Sequence, residues 1–261
     1  MKLKKILAAG FAALTLFSLS TGSFAAGTQG KTTSEPFQME AESIEYNAKT
    51  GQMLASGSTG VKLVKGTLTV TGIKADYNTK TQAGIITGGV TAIQEDATMT
   101  AAQVETLNAN QQLTASGNVV LKKGTDSLYA PKVDYYSDRK VAVAENDAKL
   151  VTADGVITAD RLESFFNEKR TVAQGNVKIN SEQRKLQASA DHAVHYGPQP
   201  GEQAKIVLTG NARATQDGNT IVGQTLTLYM DDKAIDAAGR TKVVIASNTN
   251  QPRKADSIDV H

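Results

Sequence analysis

The feature that most constrains this chain is a period. A glycine followed two residues later by a small or β-branched residue recurs as Gly88/Val90, Gly117/Val119, Gly175/Val177, Gly210/Ala212 and Gly239/Thr241. An earlier copy, Gly57 with Val61, carries the two-residue insertion Ser58–Thr59. Midway between Gly117 and Gly175 stands Asn146, the residue type that best imitates glycine at a left-handed backbone position. With Asn146 included, the successive gaps are 31, 29, 29, 29, 35 and 29 residues. A spacing this regular marks an array of like supersecondary units, each burying its apolar face against its neighbours.

A second motif runs in phase with the first: Ala or Gly, then apolar residues three and often five places on. It reads AESIEY from Ala41, GIKADY from Gly72, AAQVET from Ala101, APKVDY from Ala130 and ADRLES from Ala159. It continues as ADHAVH from Ala190, GQTLTL from Gly223 and ADSIDV from Ala255. Eight copies of this half-unit and seven of the other make about seven and a half repeats of two strands each. Alternation identifies the strands, since Val61 and Leu63, Val119 and Leu121, Val177 and Ile179, and Val243 and Ile245 share faces. Val70, Met99, Leu128, Ile157 and Ile221 lie two residues ahead of the Ala or Gly, whereas the later apolar positions fall at odd offsets. Such a change of parity within one strand predicts a bulge or corner, and Pro131 stands at one of them. The strands are therefore expected to be bent, with both arms facing one interior. Val61, Leu63, Val70, Val90, Met99, Val119, Leu121, Leu128, Ile157, Val177 and Ile179 are expected to line it. Polar turns separate the units, and Pro198 and Pro200 mark the long one behind the 35-residue gap.

The ends differ from this array. Lys2, Lys4 and Lys5 precede an apolar run from Ile6 to Ser20, and Ser23 and Ala25 supply small residues at −3 and −1 of a cleavage site. Residues 1–26 read as a secretory signal peptide cut after Ala25 or Ala26; the run is short for a membrane span of about 20 residues. Residues 27–36 read as a flexible polar segment, and 37–261 as a single all-β domain. Losing the three leader lysines from a total of 28 basic residues leaves 25 against 26 acidic ones. Such a balance gives no broad basic face for nucleic acid. The chain has no cysteine, so an exported domain must hold together without disulfides.

Chemical motifs are sparse. His192 and His195 form H-x-x-H, but on a strand an odd separation sends them to opposite faces, so no metal site is expected. The stretch GSTGVKLVKG lacks the Gly-Lys-Ser/Thr ending of a phosphate loop and reads as the start of a strand. Asp134, Asp160 and Glu163 read as solvated strand positions. Tyr46, Tyr77 and Tyr135 at +5, and Tyr136, Tyr196 and Tyr229 at +6, read as strand-end packing beside turns, with an aromatic rim as the alternative. No nucleophile–base grouping is suggested, so neither an enzyme nor a cofactor is expected.

The stretches MEAESIEYNAKTGQMLASGSTGVKL, ASGNVVLKKGTDSLYAPKVDYY and AQGNVKIN, behind a leader of this kind, resemble the LptA/OstA family of lipopolysaccharide-transport proteins. The resemblance spans residues 37–261. It implies bent antiparallel strands stacked as an open OstA-like β-jellyroll, in the periplasm, whose apolar interior takes acyl chains of lipopolysaccharide or a related lipid. It also implies end-to-end self-association, with inner-membrane LptC-like and outer-membrane LptD-like jellyroll domains as further partners. The residues support that role independently: the small column Ala41, Ala101, Ala130, Ala159 and Ala190 leaves the layers room to part. The acidic first strand around FQMEAESIEY and the basic Arg253–Lys254 before the last are expected to form the joining edges. A self-stacking structural protein of the envelope, or an LptC-like component, would share the repeat.

Overall fold

The computed structural model describes residues 37–107, 111–231 and 234–246. The leader 1–26, the segment 27–36, Arg253–Lys254 and the motif copy at Ala255 lie outside them. The described residues form sixteen strands in one antiparallel sheet. They begin with β1 (Phe37–Glu40), β2 (Ser43–Asn47), β3 (Gln52–Lys65), β4 (Leu68–Asn78), β5 (Ala83–Gln94), β6 (Ala97–Leu107), β7 (Gln112–Lys123) and β8 (Asp126–Tyr136). They continue as β9 (Val141–Thr152), β10 (Gly155–Phe165), β11 (Arg170–Ser181), β12 (Leu186–Tyr196), β13 (Lys205–Gln216), β14 (Asn219–Tyr229), β15 (Ile235–Ala238) and β16 (Lys242–Val244).

From β3 to β14 each strand pairs with its neighbours in sequence. At one end β1 and β2 pair with the two halves of β3; at the other, β15 and β16 pair with the two halves of β14. Each of these end pairs is one bent strand broken at its corner, at Ala41 and at Gly239–Thr241, so the sheet holds fourteen bent strands, or seven repeats. Among the described residues the two end strands do not meet, and the sheet stays open.

The corners are bulges, as the parity change requires. Ser116 pairs with Lys132 and Val119 with Ala130, so Gly117 and Asn118 of β7 face the single residue Pro131 of β8. The same two-against-one register recurs at Gly88–Gly89, Asn146–Asp147, Gly175–Asn176 and Gly210–Asn211. Both residues of each pair are left-handed, with φ of 82° and 51° at Gly117 and Asn118 and 63° at both Asn146 and Asp147. The second position is therefore as constrained as the first, which accounts for Asn118, Asn176 and Asn211. Stacked in register, the bulges form a crease that divides the sheet into two layers. The upper layer holds the arm after each bulge of the odd-numbered strands, including Val119 and Leu121, and the arm before each corner of the even-numbered ones, including Leu128 and Ile157. The lower layer holds the other arms, including Leu113 and Ala115. Leu128 and Ala130 are buried before the β8 corner, and Val133 and Tyr135 beyond it, so both layers present their apolar face to one core.

Gly117 is needed for space as well as for φ, because a β-carbon there would collide with that of Ala102 on the preceding strand. At the Asn146 bulge the preceding strand presents Pro131 instead, whose side chain closes back on its own nitrogen. The first repeat divides these two roles. Gly57, placed above at the glycine position, is not left-handed; that conformation falls to Gly60, at φ 101°. Four residues, 57–60, intervene between Ser56 and Val61, which pair with Lys74 and Gly72. Gly57 keeps the close approach, its β-carbon site lying 3.1 Å from Glu42 Cγ. The Glu42 carboxylate accepts from Ser58 N (2.9 Å), Ser58 Oγ (2.7 Å) and Thr59 N (3.0 Å). These donors, the Ser58 backbone N–H foremost, lower its pKa to about 2, and they hold the enlarged bulge together.

If left-handed backbone is what Asn146 supplies, Asn146→Gly leaves stability within about 0.5 kcal/mol. Asn146→Val costs about 1–2 kcal/mol, from the β-branched penalty in that conformation. Urea unfolding of the three proteins measures both.

Candidate functional site

The interior between the layers is the candidate site. Of the eleven expected lining residues, Val61, Val90, Met99, Val119, Leu121, Leu128, Val177 and Ile179 are buried in the core, and Leu63, Val70 and Ile157 are partly buried against it. The alanine column sits among them, with Ala101, Ala130, Ala159 and Ala190 buried and Ala41 partly so. Side chains directly opposite in an antiparallel pair share a face, which extends the interior to the sheet ends. Ile44 lies opposite buried Ala55, and Tyr46 opposite Met53; Val243 lies opposite Ile221, which packs on the core. These three inward positions are 43%, 56% and 57% exposed, so the apolar interior emerges at both ends of the sheet. Ile245, expected on the same face, is also exposed.

Between the ends the layers are in contact. An apolar cavity of about 60 Å³ lies between them in the C-terminal half. Ile157, Ile179 and Leu186 of the upper layer and His195, Ile206 and Met230 of the lower one line it. Ligand sites of drug-like size run to hundreds of cubic ångströms, so this gap is a local defect in the packing rather than a formed ligand pocket. At the mouth, opposite the crease, Arg184 in the turn between β11 and β12 donates from Nη1 to the carbonyl oxygen of Met230, just past β14, at 2.6 Å. Arg184 sits at the tip of the upper layer and Met230 at the tip of the lower, so the bond spans the opening.

His192 is exposed and His195 is 8% exposed, on opposite faces of β12. Burial lowers the His195 pKa to about 4, keeping the imidazole neutral in the cavity wall. Asp134 departs from its expected solvated role. It is buried and accepts from Thr114 Oγ1 at 2.6 Å across the β7–β8 ladder, with Lys132 Nζ also 2.6 Å away. Asp160 remains exposed and accepts from Asn176 Nδ2, whereas Glu163 is half-buried against Arg161. The tyrosines divide: Tyr135 is buried near Phe166, with ring centroids 6.3 Å apart, while Tyr136 lies under the Arg139 guanidinium at 4.2 Å. Sequence reasoning missed Arg184, Leu186, Ile206 and Met230. Leu186 and Ile206 continue the alternation and were legible, whereas a contact made by a turn residue leaves no periodic signal.

The model of the family described as LptA/(LptD N-terminal domain) LPS transport protein matches residues 99–234. The chain belongs to this family. The match runs from within β6 through β14 and takes in four of the five paired bulges, and the description is one of transport rather than catalysis. Among solved structures the chain is similar to LptH, the LptA homologous periplasmic component of the conserved lipopolysaccharide transport device from Pseudomonas aeruginosa. That similarity has 13% identity, covers 82% of this chain and 96% of that one, and has a TM-score of 0.16. No curated protein matches.

Neutral burial of His195 ties stability to pH. Above its ordinary pKa of 6.5 the imidazole is neutral whether the chain is folded or not. Between 6.5 and about 4 the unfolded chain binds a proton that the folded one excludes, so stability falls as pH drops through that window and levels off below it. Relative to His195→Leu, the wild type loses up to about 3 kcal/mol between pH 7 and pH 4. Denaturant melts of both proteins across that range read the difference directly.

Proposed function

We propose that this chain is a periplasmic lipopolysaccharide-transport protein that shelters acyl chains between its layers and passes them along by end-to-end assembly with like jellyrolls. In this reading residues 1–26 are the export signal, 37–261 act as one unit, and the partners are lipopolysaccharide or a related lipid, further copies, and LptC-like and LptD-like domains. The carrying observation is that one aliphatic interior runs through all seven described repeats and surfaces at both sheet ends through Ile44, Tyr46 and Val243. Each methylene that moves from water into that interior gains about 0.8 kcal/mol. Similar linings in successive repeats hold a chain with similar strength, so it can move between them without a deep trap. The eleven lining residues named above are the proposed contacts. Among the described residues the sheet ends in edge strands on both sides, and edge strands favour strand addition between copies.

The packed interior also favours a second reading, a self-stacking structural protein without lipid cargo. A photo-crosslinking residue at Leu121, exposed to purified lipopolysaccharide, separates the two. Crosslinked lipid supports transport, and a chain that associates but captures none supports the structural reading. Leu121→Asp places a charge in the core; it lowers stability by about 3–5 kcal/mol and abolishes lipid capture by whatever fraction stays folded. Ordinary capture by folded Leu121→Asp protein counts against a lining at that level.

Assembly through the ends is checked by light scattering over a concentration series. Wild-type protein forms oligomers that grow with concentration. Ile44→Asp and Val243→Asp, at opposite ends, each weaken association about tenfold or more, about 1.4 kcal/mol. Deleting residues 252–261 weakens it as well if the copy at Ala255 is the joining strand. A monomer at every concentration removes end-to-end assembly from the proposal.

A further inference from the structure

We propose that Arg184 is the latch of the interior, and that once released its guanidinium receives the anionic headgroup of the entering amphiphile. This rests on the lipid-sheltering reading and adds the place and the residue at which sheltering begins.

The Arg184–Met230 bond does not belong to the sheet ladder. Its partners are 46 residues apart, one in the turn between β11 and β12 and the other just past β14, and it joins the free edge of one layer to that of the other. Arg184 and Met230 both line the apolar cavity directly behind it, together with Ile157, Ile179, Leu186 and Ile206. A gap of that kind has already forfeited part of its dispersion contacts, so the layers separate there at lower cost than where they interdigitate. His195, buried and neutral near pH 7, adds no charge to the cavity wall.

The latch acceptor is a peptide carbonyl. A phosphate or carboxylate carries a full negative charge, forms stronger bonds with a guanidinium, and can form two at once. An amphiphile that brings an anionic group to the mouth therefore competes with the Met230 oxygen for Arg184, and in displacing it opens the space its alkyl chain occupies. Asp154 shares the rim, its backbone N–H donating to Thr152 Oγ1. Of these two rim charges, it is Arg184 that bonds across the mouth, and so selection favours an anion.

The test uses the purified protein, wild type and Arg184→Met, which keeps an apolar stem of similar reach. Stopped-flow uptake of the neutral fluorophore N-phenyl-1-naphthylamine reads the latch, and its competition by dodecyl phosphate and by dodecyl maltoside reads the headgroup. Arg184→Met takes up the fluorophore about tenfold faster, and the roughly tenfold advantage of dodecyl phosphate over dodecyl maltoside in the wild type disappears. Equal uptake rates overturn the latch, and an advantage that survives in Arg184→Met overturns the headgroup role. Should Arg184→Met fail to fold, Arg184→Lys carries the test. Lacking the guanidinium fork, the shorter lysine side chain loses the span but keeps the charge, so faster uptake with the advantage retained is expected, and unchanged uptake overturns the latch. A wild type that takes up none of the three compounds removes the sheltering reading itself. Uptake indifferent to Arg184 removes the latch alone.

Discussion

Everything in this molecule depends on a two-against-one bulge repeated in register. At each corner from β5 to β14 two left-handed residues of one strand oppose one ordinary residue of the next, and the strand facing the bulge leaves the corner with its side-chain parity reversed. Without the reversal, a strand that buries Leu128 and Ala130 would turn Val133 and Tyr135 to solvent. With it, a single sheet folds over its own apolar face and needs no second sheet to cover it. Glycine at the first bulge position follows from the same geometry, since at Gly117, Gly175 and Gly210 a β-carbon would collide with a side chain of the preceding strand.

The interior so formed reconciles two demands that usually conflict. It is dense enough to stabilise a domain with no disulfide, and it is assembled from nearly interchangeable layers joined along one crease. Dense contact closes the layers on each other, while among the described residues no strand pairing joins them opposite the crease. The C-terminal half shows where that balance is poised: a small apolar gap behind a charged donor that ties the two rims together.

How much of this could be read from the chain follows the same division. The crease was legible because its demands are local: Gly117 and Gly175 mark it, Asn146 substitutes at the same left-handed backbone, and the alternation beyond each corner assigns the lining. In the first repeat the inserted residues let Gly57 and Gly60 share what one glycine does elsewhere, and spacing alone chose the wrong one for the left-handed role. Asp134 was read as solvated because alternation assigns a face but not the neighbours on it; Thr114 and Lys132 cover it. The Arg184 contact was beyond reach, because it joins turns whose proximity exists only after the sheet has folded over.

Because successive strands are also spatial neighbours, the length of the stack is written directly into the number of hairpins. One repeat adds two strands, roughly 9.5 Å along the direction of stacking, and brings its own corner, its own layer of core and the same two kinds of edge. Duplicating or deleting a whole hairpin would change the reach of the molecule in fixed increments while leaving its cross-section unaltered. The fold is in this sense a molecular ruler, graduated by its glycines.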